Sequence, residues 1–235
     1  INQWRNNDSD KRLYSDLFTN KYYINGVKKQ LLLARFPKID CSRERTLKNN
    51  IRIFEIDNNL SFQTFIRDHQ LIYDELIKIT KPKHKRGLDF DFSNSISMHI
   101  RFGDFKRYSR STELIFFINT LTEIRQKLKF NIKCYVFSDA KDGELEDLLK
   151  LDNIERISFG SSISDILGLS NSKMIIASKG STFNKWASFL GRMPIIFPKN
   201  NFINLYYNSP NLELTLQEDE EIPDYFINEI KKVLE

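Results

Sequence analysis

Apolar and polar positions alternate most strictly in the stretch Asn94-Ser-Ile-Ser-Met-His-Ile-Arg-Phe-Gly-Asp-Phe105. Ile96, Met98 and Ile100 fall on one face of an extended chain, and Ser97, His99 and Arg101 fall on the other. This predicts a strand over 95–101 that ends at Gly103 with Asp104 beside it. The period then becomes helical. Leu114, Phe117, Ile118, Leu121, Ile124 and Leu128 share one face of a helix expected from Ser111 to Lys129, with Ser111 as its N-cap. Beyond it the pattern predicts a strand over 131–137, a helix near 143–150, a strand near 153–158 and a helix from Ser162 to Ser170. A strand over 173–177, a helix from Thr182 to Leu190 ended by Gly191, and a strand at Ile195-Ile-Phe197 complete the series. Strands alternating with helices through short loops specify an α/β fold, with a parallel, right-handed sheet covered on both faces.

The first 90 residues are less regular. Gly26 to Ala34 and Ile51 to Ile56 read as strands or short helices. Ser61 to Thr80 reads as a helix whose stripe is Phe62, Phe65, Ile66, Ile72, Leu76, Ile77 and Ile79. Lys81-Pro-Lys-His-Lys-Arg-Gly87 breaks that helix and reads as a linker. After the acidic run Glu218-Asp-Glu-Glu221, Pro223 opens a helix whose Phe226, Ile227, Ile230 and Leu234 are expected to pack back on the chain. The expected organisation is an irregular N-terminal region over 1–90, a Rossmann-like region over 91–215 and a C-terminal helix within 216–235.

Composition narrows the function classes. With 235 residues, 40% hydrophobic content and a formal charge of +5, the chain suits a soluble globular protein of one large or two small domains. No apolar run approaches the roughly 18 to 20 residues of a membrane span, and no stretch reads as a signal peptide. Cys41 and Cys134 form neither a disulfide framework nor a metal site, which favours a reducing, cytoplasmic compartment. The three histidines are too scattered to ligate a metal together. Lys28, Lys29, Arg35, Lys38, Arg43, Arg45 and Lys48 outweigh Asp40 and Glu44 in the N-terminal region. Such a run is either a solvated surface or a face for phosphates or an anionic membrane, so peripheral membrane association is one expectation. Neither Gly-x-Gly-x-x-Gly nor Gly-x-x-x-x-Gly-Lys occurs, so dinucleotide and P-loop fingerprints are absent.

Candidate chemistry gathers at strand ends. In open α/β sheets ligands bind outside the carboxyl ends of the strands, where helix N-termini converge. His99 and Arg101, Ser138 and Asp139, and Ser178 through Thr182 occupy three such ends. Arg101 suits phosphate through its planar, permanently charged fork. Ser181 and Thr182 fit either a helix cap or a phosphate contact. The plain alternative is that His99 and Arg101 line a solvated face, with Asp104 paired to Arg101.

His99-Ile-Arg-Phe-Gly-Asp104 resembles the His-x-Arg-x-x-Asp motif of the α-1,2/α-1,6/protein-O-fucosyltransferase superfamily, and its surroundings most resemble the bacterial α-1,2-fucosyltransferase-like family. Tyr135-Val-Phe-Ser-Asp139 resembles that family's Phe-Ser-Asp strand end. Asp165-Ile-Leu-Gly-Leu-Ser170, Met174-Ile-Ile-Ala177 and Ser181-Thr-Phe-Asn-Lys-Trp-Ala187 resemble its last block. The likeness spans roughly residues 90–200. Phe102 stands where the bacterial enzymes usually carry a second Arg, and Asn184-Lys185 interrupts a Ser-Trp-Trp run. The resemblance implies a GT-B-like arrangement and inverting, metal-independent transfer of fucose from GDP-fucose to a glycan hydroxyl, with no cofactor. It further implies that Arg101 contacts the β-phosphate, Asp165 accepts from the guanine edge, and Ser181, Thr182 and Phe183 close around phosphate and sugar. His99, Ser138 and Asp139 complete the candidate donor site, and Asp104 and Glu113 are the carboxylates available as a base. A transferase of another nucleotide sugar, or a non-catalytic basic module binding nucleic acid or an anionic polymer, are the alternative classes.

Overall fold

The computed structural model describes residues 14–19, 21, 24, 26–36, 38–40, 53–55, 62–107, 111–199, 209, 211–217 and 220–235. The N-terminal region contributes helices α1 (Tyr14–Leu17) and α2 (Gly26–Arg35), and a parallel strand pair, β1 (Lys38–Asp40) with β2 (Ile53–Glu55). The helix expected over 61–80 is divided into α3 (Phe62–Phe65), a tight 3-10 turn at Ile66–Asp68, and α4 (His69–Ile79). Phe62 packs edge-on against Trp186, and the His69 ring nitrogen Nε2 meets the Leu190 carbonyl at 3.0 Å, which docks this pair of helices on the second half of the chain.

That second half is a six-stranded, all-parallel sheet of β3 (Ser95–Ile100), β4 (Lys133–Ser138), β5 (Ile154–Arg156), β6 (Ile175–Ala177), β7 (Ile195–Pro198) and β8 (Glu213–Leu216). Its spatial order is β5-β4-β3-β6-β7-β8. Crossovers run through α6 (Leu114–Leu128), which follows the short α5 (Gly103–Arg107), and through α7 (Glu146–Leu149), α8 (Ser162–Ser170) and α9 (Thr182–Gly191). The chain winds outward from β3 in one direction and then returns to wind outward from β6 in the other. This is the doubly wound order, and its switch point lies between β3 and β6. The expected α/β, Rossmann-like sheet is therefore present.

Burial follows from that position. All six residues of β3 are buried, because β3 has neighbours on both sides and helices on both faces. Ile96, Met98 and Ile100 pack in one layer with Phe117, Leu121 and Ile124 of α6. α10 (Asp224–Leu234) buries Phe226, Ile227 and Ile230 in the same layer, so the C-terminal helix packs on the sheet as its apolar stripe predicts. The opposite layer holds Tyr135, Phe137, Ile175, Ala177, Leu169 and Ala187 under α8 and α9. Buried hydroxyls in this layer are satisfied: Ser97 and Ser172 share a 2.6 Å hydrogen bond. Cys134 is fully buried, and burial pushes its thiol pKa up to about 12, which makes it inert.

Several local expectations are corrected. α6 starts at Leu114 with Glu113 at the cap position, two residues beyond the expected Ser111 cap, and the Thr112 hydroxyl accepts the Lys179 N–H at 2.9 Å. The presumed linker 81–87 is ordered as two 3-10 turns, Pro82–His84 and Arg86–Leu88, with His84 and Gly87 buried. Gly191 belongs to α9 and does not end it: Arg192 takes the left-handed cap at φ 51°. The glycine is needed because a Cβ there would lie 2.1 Å from the Ser170 carbonyl oxygen. β8 was not anticipated. Its Leu214 and Leu216 are buried alternately with half-buried Glu213 and Thr215, a pattern too short to register.

Candidate functional site at the switch point

The carboxyl ends of β3 and β6 are joined by hydrogen bonds that fix the loops around the switch point. The Ser178 amide donates to the His99 carbonyl at 3.0 Å, and the Ser178 hydroxyl accepts the Arg101 amide at 2.8 Å. The chain turns at Gly180 (φ 69°) and enters α9, whose N-cap Ser181 accepts the Phe183 amide at 3.3 Å. The N-terminus of a ten-residue helix and Arg101 thus stand at the carboxyl ends of adjacent strands, on either side of the switch point.

Arg101 is held from the β4 side. Its NH1 lies 2.7 Å from Asp139 Oδ2, with both side chains about a third exposed, and its Cζ sits 5.6 Å from the Phe105 ring centroid. Asp139 Oδ1 accepts the amides of Phe102 at 2.8 Å and Gly103 at 3.3 Å. Asp139 is thus an ion-pair partner of Arg101, an arrangement the sequence did not suggest. The Asp104 side chain lies outside the described residues. The Ser138 hydroxyl is engaged in stitching strand ends, donating to the Ile100 carbonyl at 2.8 Å and accepting the Ala140 amide at 3.0 Å.

His99 does not share the crevice on equal terms with Arg101. It is only 4% exposed, and its imidazole stacks face to face on Phe183 at 4.6 Å. Burial, reinforced by the neighbouring Arg101 charge, pushes its pKa down to about 3, so it is neutral at physiological pH. Among the described residues its buried Nδ1 meets no hydrogen-bond partner, nor does Oδ1 of Asn184, whose amide nitrogen donates to the Ser178 carbonyl at 2.8 Å. Thr182 is exposed at the start of α9.

Asp165 lies in the first turn of α8, at the mouth of the loop leaving β5. Its carboxylate accepts the Phe159 amide at 2.5 Å and the Ser158 hydroxyl at 3.0 Å, so it fixes the loop 158–160. Glu113 is exposed beside Thr112, which ties the start of α6 to the β6–α9 turn. Among the described residues no group of three or more His, Cys, Asp or Glu side chains could hold a metal ion.

The sequence profile of glycosyl transferase family 11 matches residues 21–211. The chain belongs to that family. No curated protein sequence matches it. Among solved structures, it is similar to a NodZ α-1,6-fucosyltransferase soaked with GDP-fucose, at 16% identity and a TM-score of 0.39 over 54% of this chain and 49% of that one. NodZ from Bradyrhizobium is similar at 14% identity and 0.38, over 52% and 47%. A Methanocaldococcus jannaschii UDP-GlcNAc 2-epimerase in complex with UDP-GlcNAc and UDP is similar at 10% identity and 0.42, over 74% and 46%. The chain spans about half the length of these proteins, and the family assignment rests on the profile match.

In this family 11 protein, Thr112 and Phe105, which the sequence did not single out, organise the site together with Ser178. Ser178 and Thr112 tie the loops around the switch point, and Phe105 packs between Arg101 and the Gly180 turn, 3.7 Å from where a Gly180 Cβ would stand. His84, from the presumed linker, meets the Ser161 hydroxyl at 2.9 Å through Nδ1, at the N-cap of α8. The sequence carries no comparable signal for Thr112, which lies within the expected helix, or for His84, which lies in the 81–87 stretch.

Proposed function

We propose that the chain transfers L-fucose from GDP-fucose to a glycan hydroxyl, with inversion at the sugar carbon. The observation that carries this is the placement of Arg101 and the N-terminus of α9 on opposite sides of the topological switch point of a doubly wound sheet, in a member of glycosyl transferase family 11. The fucosyltransferase neighbours soaked with GDP-fucose or co-crystallised with GDP are consistent with that donor.

In this reading the diphosphate sits between Arg101 and the helix N-terminus. As the glycosidic bond breaks, the sugar becomes oxocarbenium-like and negative charge grows on the departing diphosphate. A guanidinium and a helix dipole fixed in advance stabilise that charge without reorganising. His99 cannot act as a proton carrier, since it stays neutral down to about pH 3; it supports the floor of the site through Phe183. Thr182 completes the phosphate side, and Phe183 borders the sugar. Asp165, with the loop it holds, faces the base, where a carboxylate pairs with the two donors on guanine's edge. Glu113 is the described carboxylate near the crevice that could deprotonate an acceptor hydroxyl, and Asp104 is the second candidate. The 1–90 region would then form the acceptor-side part of a GT-B-like pair, 91–215 the donor-binding part, and 216–235 the returning helix. Basic α2, with Lys28, Lys29 and Arg35 exposed, suits a peripheral contact with an anionic membrane. No described helix is long and apolar enough to cross a membrane.

Titration calorimetry with GDP, UDP and single-stranded RNA tests the reading. GDP should bind, UDP should bind more weakly, RNA should not compete, and EDTA should leave GDP binding unchanged. Preferential binding of UDP would favour the other-donor class, RNA binding that excludes GDP would favour a basic nucleic-acid module, and loss of binding in EDTA would refute the metal-independent site.

A further inference from the structure

We propose that Asp139 is a positioning residue of the donor site: it sets the direction in which Arg101 meets the diphosphate and does not itself bind the nucleotide. This rests on the reading of Arg101 as the diphosphate contact. A bare carboxylate beside a diphosphate would repel it, but both oxygens of the Asp139 carboxylate are occupied. Oδ2 holds the Arg101 NH1 at 2.7 Å, and Oδ1 collects the amides of Phe102 and Gly103 at 2.8 and 3.3 Å. One side chain therefore fixes both the backbone turn leaving β3 and the guanidinium that this turn carries.

The surrounding chain is built for that approach. Gly103 has no Cβ, and one placed there would lie 2.5 Å from Asp139 Oδ2, so a larger residue at 103 would push the carboxylate off both of its tasks. Asp139 is itself anchored, because Arg156 NH2 donates to the carbonyls of Ser138 at 3.0 Å and Ala140 at 2.7 Å, fixing the strand end on either side of it. Phe105 lies under the guanidinium at 5.6 Å and limits its swing on the other side. A long arginine side chain clamped in this way loses less conformational freedom on meeting its ligand.

The test uses the full chain with the variants D139N, R101A and R101A/D139N, measuring GDP affinity by calorimetry and GDP release from GDP-fucose by turnover. D139N keeps an oxygen for the two backbone amides, so its melting temperature should stay near that of the unmodified chain. Its turnover should fall roughly 10- to 100-fold while GDP Kd changes less than about threefold, because lost orientation and lost negative charge act oppositely on ground-state binding. Adding D139N to R101A should cost nothing further, since the carboxylate acts through the arginine. Full turnover in D139N with R101A impaired overturns the Asp139 proposal alone, as does an equal loss from D139N with and without Arg101. An unimpaired R101A overturns the donor-site reading itself.

Discussion

His99 lies flat against Phe183, ring centroids 4.6 Å apart and planes within 8°, and this stack joins the end of β3 to the start of α9. Its consequence is a pH dependence. The folded chain holds His99 neutral down to about pH 3, whereas an unfolded histidine protonates near 6.5. Between those values the unfolded state binds more protons, so stability is fully present above about pH 6.5 and is lost as the pH falls towards 3. H99F keeps an aromatic ring on Phe183 and removes the titration. Its acid-unfolding curve should therefore be less steep than that of the unmodified chain over this window, read by circular dichroism. Superimposable curves would show that His99 protonates without unfolding its surroundings.

Arg101→Ala should weaken GDP binding by about 1.5–3 kcal/mol, the range for a charge-assisted hydrogen bond, or roughly 10- to 150-fold. Turnover should fall further, because charge on the diphosphate grows in the transition state. Arg101→Lys should restore little, since an ammonium gives a point charge in place of a two-pronged fork and cannot hold Asp139 in the same geometry. The position after it offers no substitute: Phe102 is buried in the core with the Lys106 ammonium 4.2 Å from its ring centroid. Calorimetry and a GDP-release assay on the three proteins check the order. Equal affinity and turnover in all three would return Arg101 to the role of a surface ion pair.

The sheet was legible because β3 alternates strictly and β4, β6 and β7 carry short continuous apolar runs, while the helices between them carry stripes at 3.6. The direction in which residues leave a strand was less legible. Alternation put His99 and Arg101 on one face, yet His99 is a central-strand residue that α9 covers, whereas Arg101 stands one step beyond the ladder and is partly exposed. The Arg101 ion pair with Asp139 was invisible for a related reason: it joins ends of adjacent strands 38 positions apart in the chain, and only the parallel register of Ile100 with Ser138 brings them together. The 81–87 stretch misled because proline, lysine and glycine mark flexible connections as well as tight packed turns, and composition does not distinguish them.

Asp165→Asn separates two roles of one carboxylate. The amide oxygen still accepts the Phe159 N–H, so the loop 158–160 should stay in place and the melting temperature should change little. The charge that would pair with guanine's two donors is gone, so GDP affinity should fall about tenfold while UDP affinity stays level, as expected for loss of one charged hydrogen bond. Asp165→Ala removes both functions and should also destabilise the loop. Unchanged discrimination between GDP and UDP in Asp165→Asn would leave Asp165 a purely structural cap.

Gly87→Ala tests whether the 81–88 segment is a clamp between the N-terminal helices and α8. A Cβ at 87 would stand 2.3 Å from the Ser164 carbonyl oxygen, 2.4 Å from the Gly168 amide nitrogen and 2.6 Å from its Cα, all backbone atoms that cannot swing aside. The 3-10 turn must therefore lift off α8, weakening the His84 contact with Ser161 at the helix cap and the His84 Nε2 bond to the Asp16 carbonyl at 3.1 Å. Overpacking of this kind costs about 1–3 kcal/mol. For a chain of this length that corresponds to a fall in melting temperature of roughly 2–12 °C. Gly143→Ala is the control, since nothing lies within 4 Å of a Cβ there. The expected result is a clear drop for Gly87→Ala and none for Gly143→Ala in thermal melts followed by circular dichroism. If the two variants melted together with the unmodified chain, the segment would be a flexible tether after all, and the contacts of His84 would contribute nothing to holding the two halves in register.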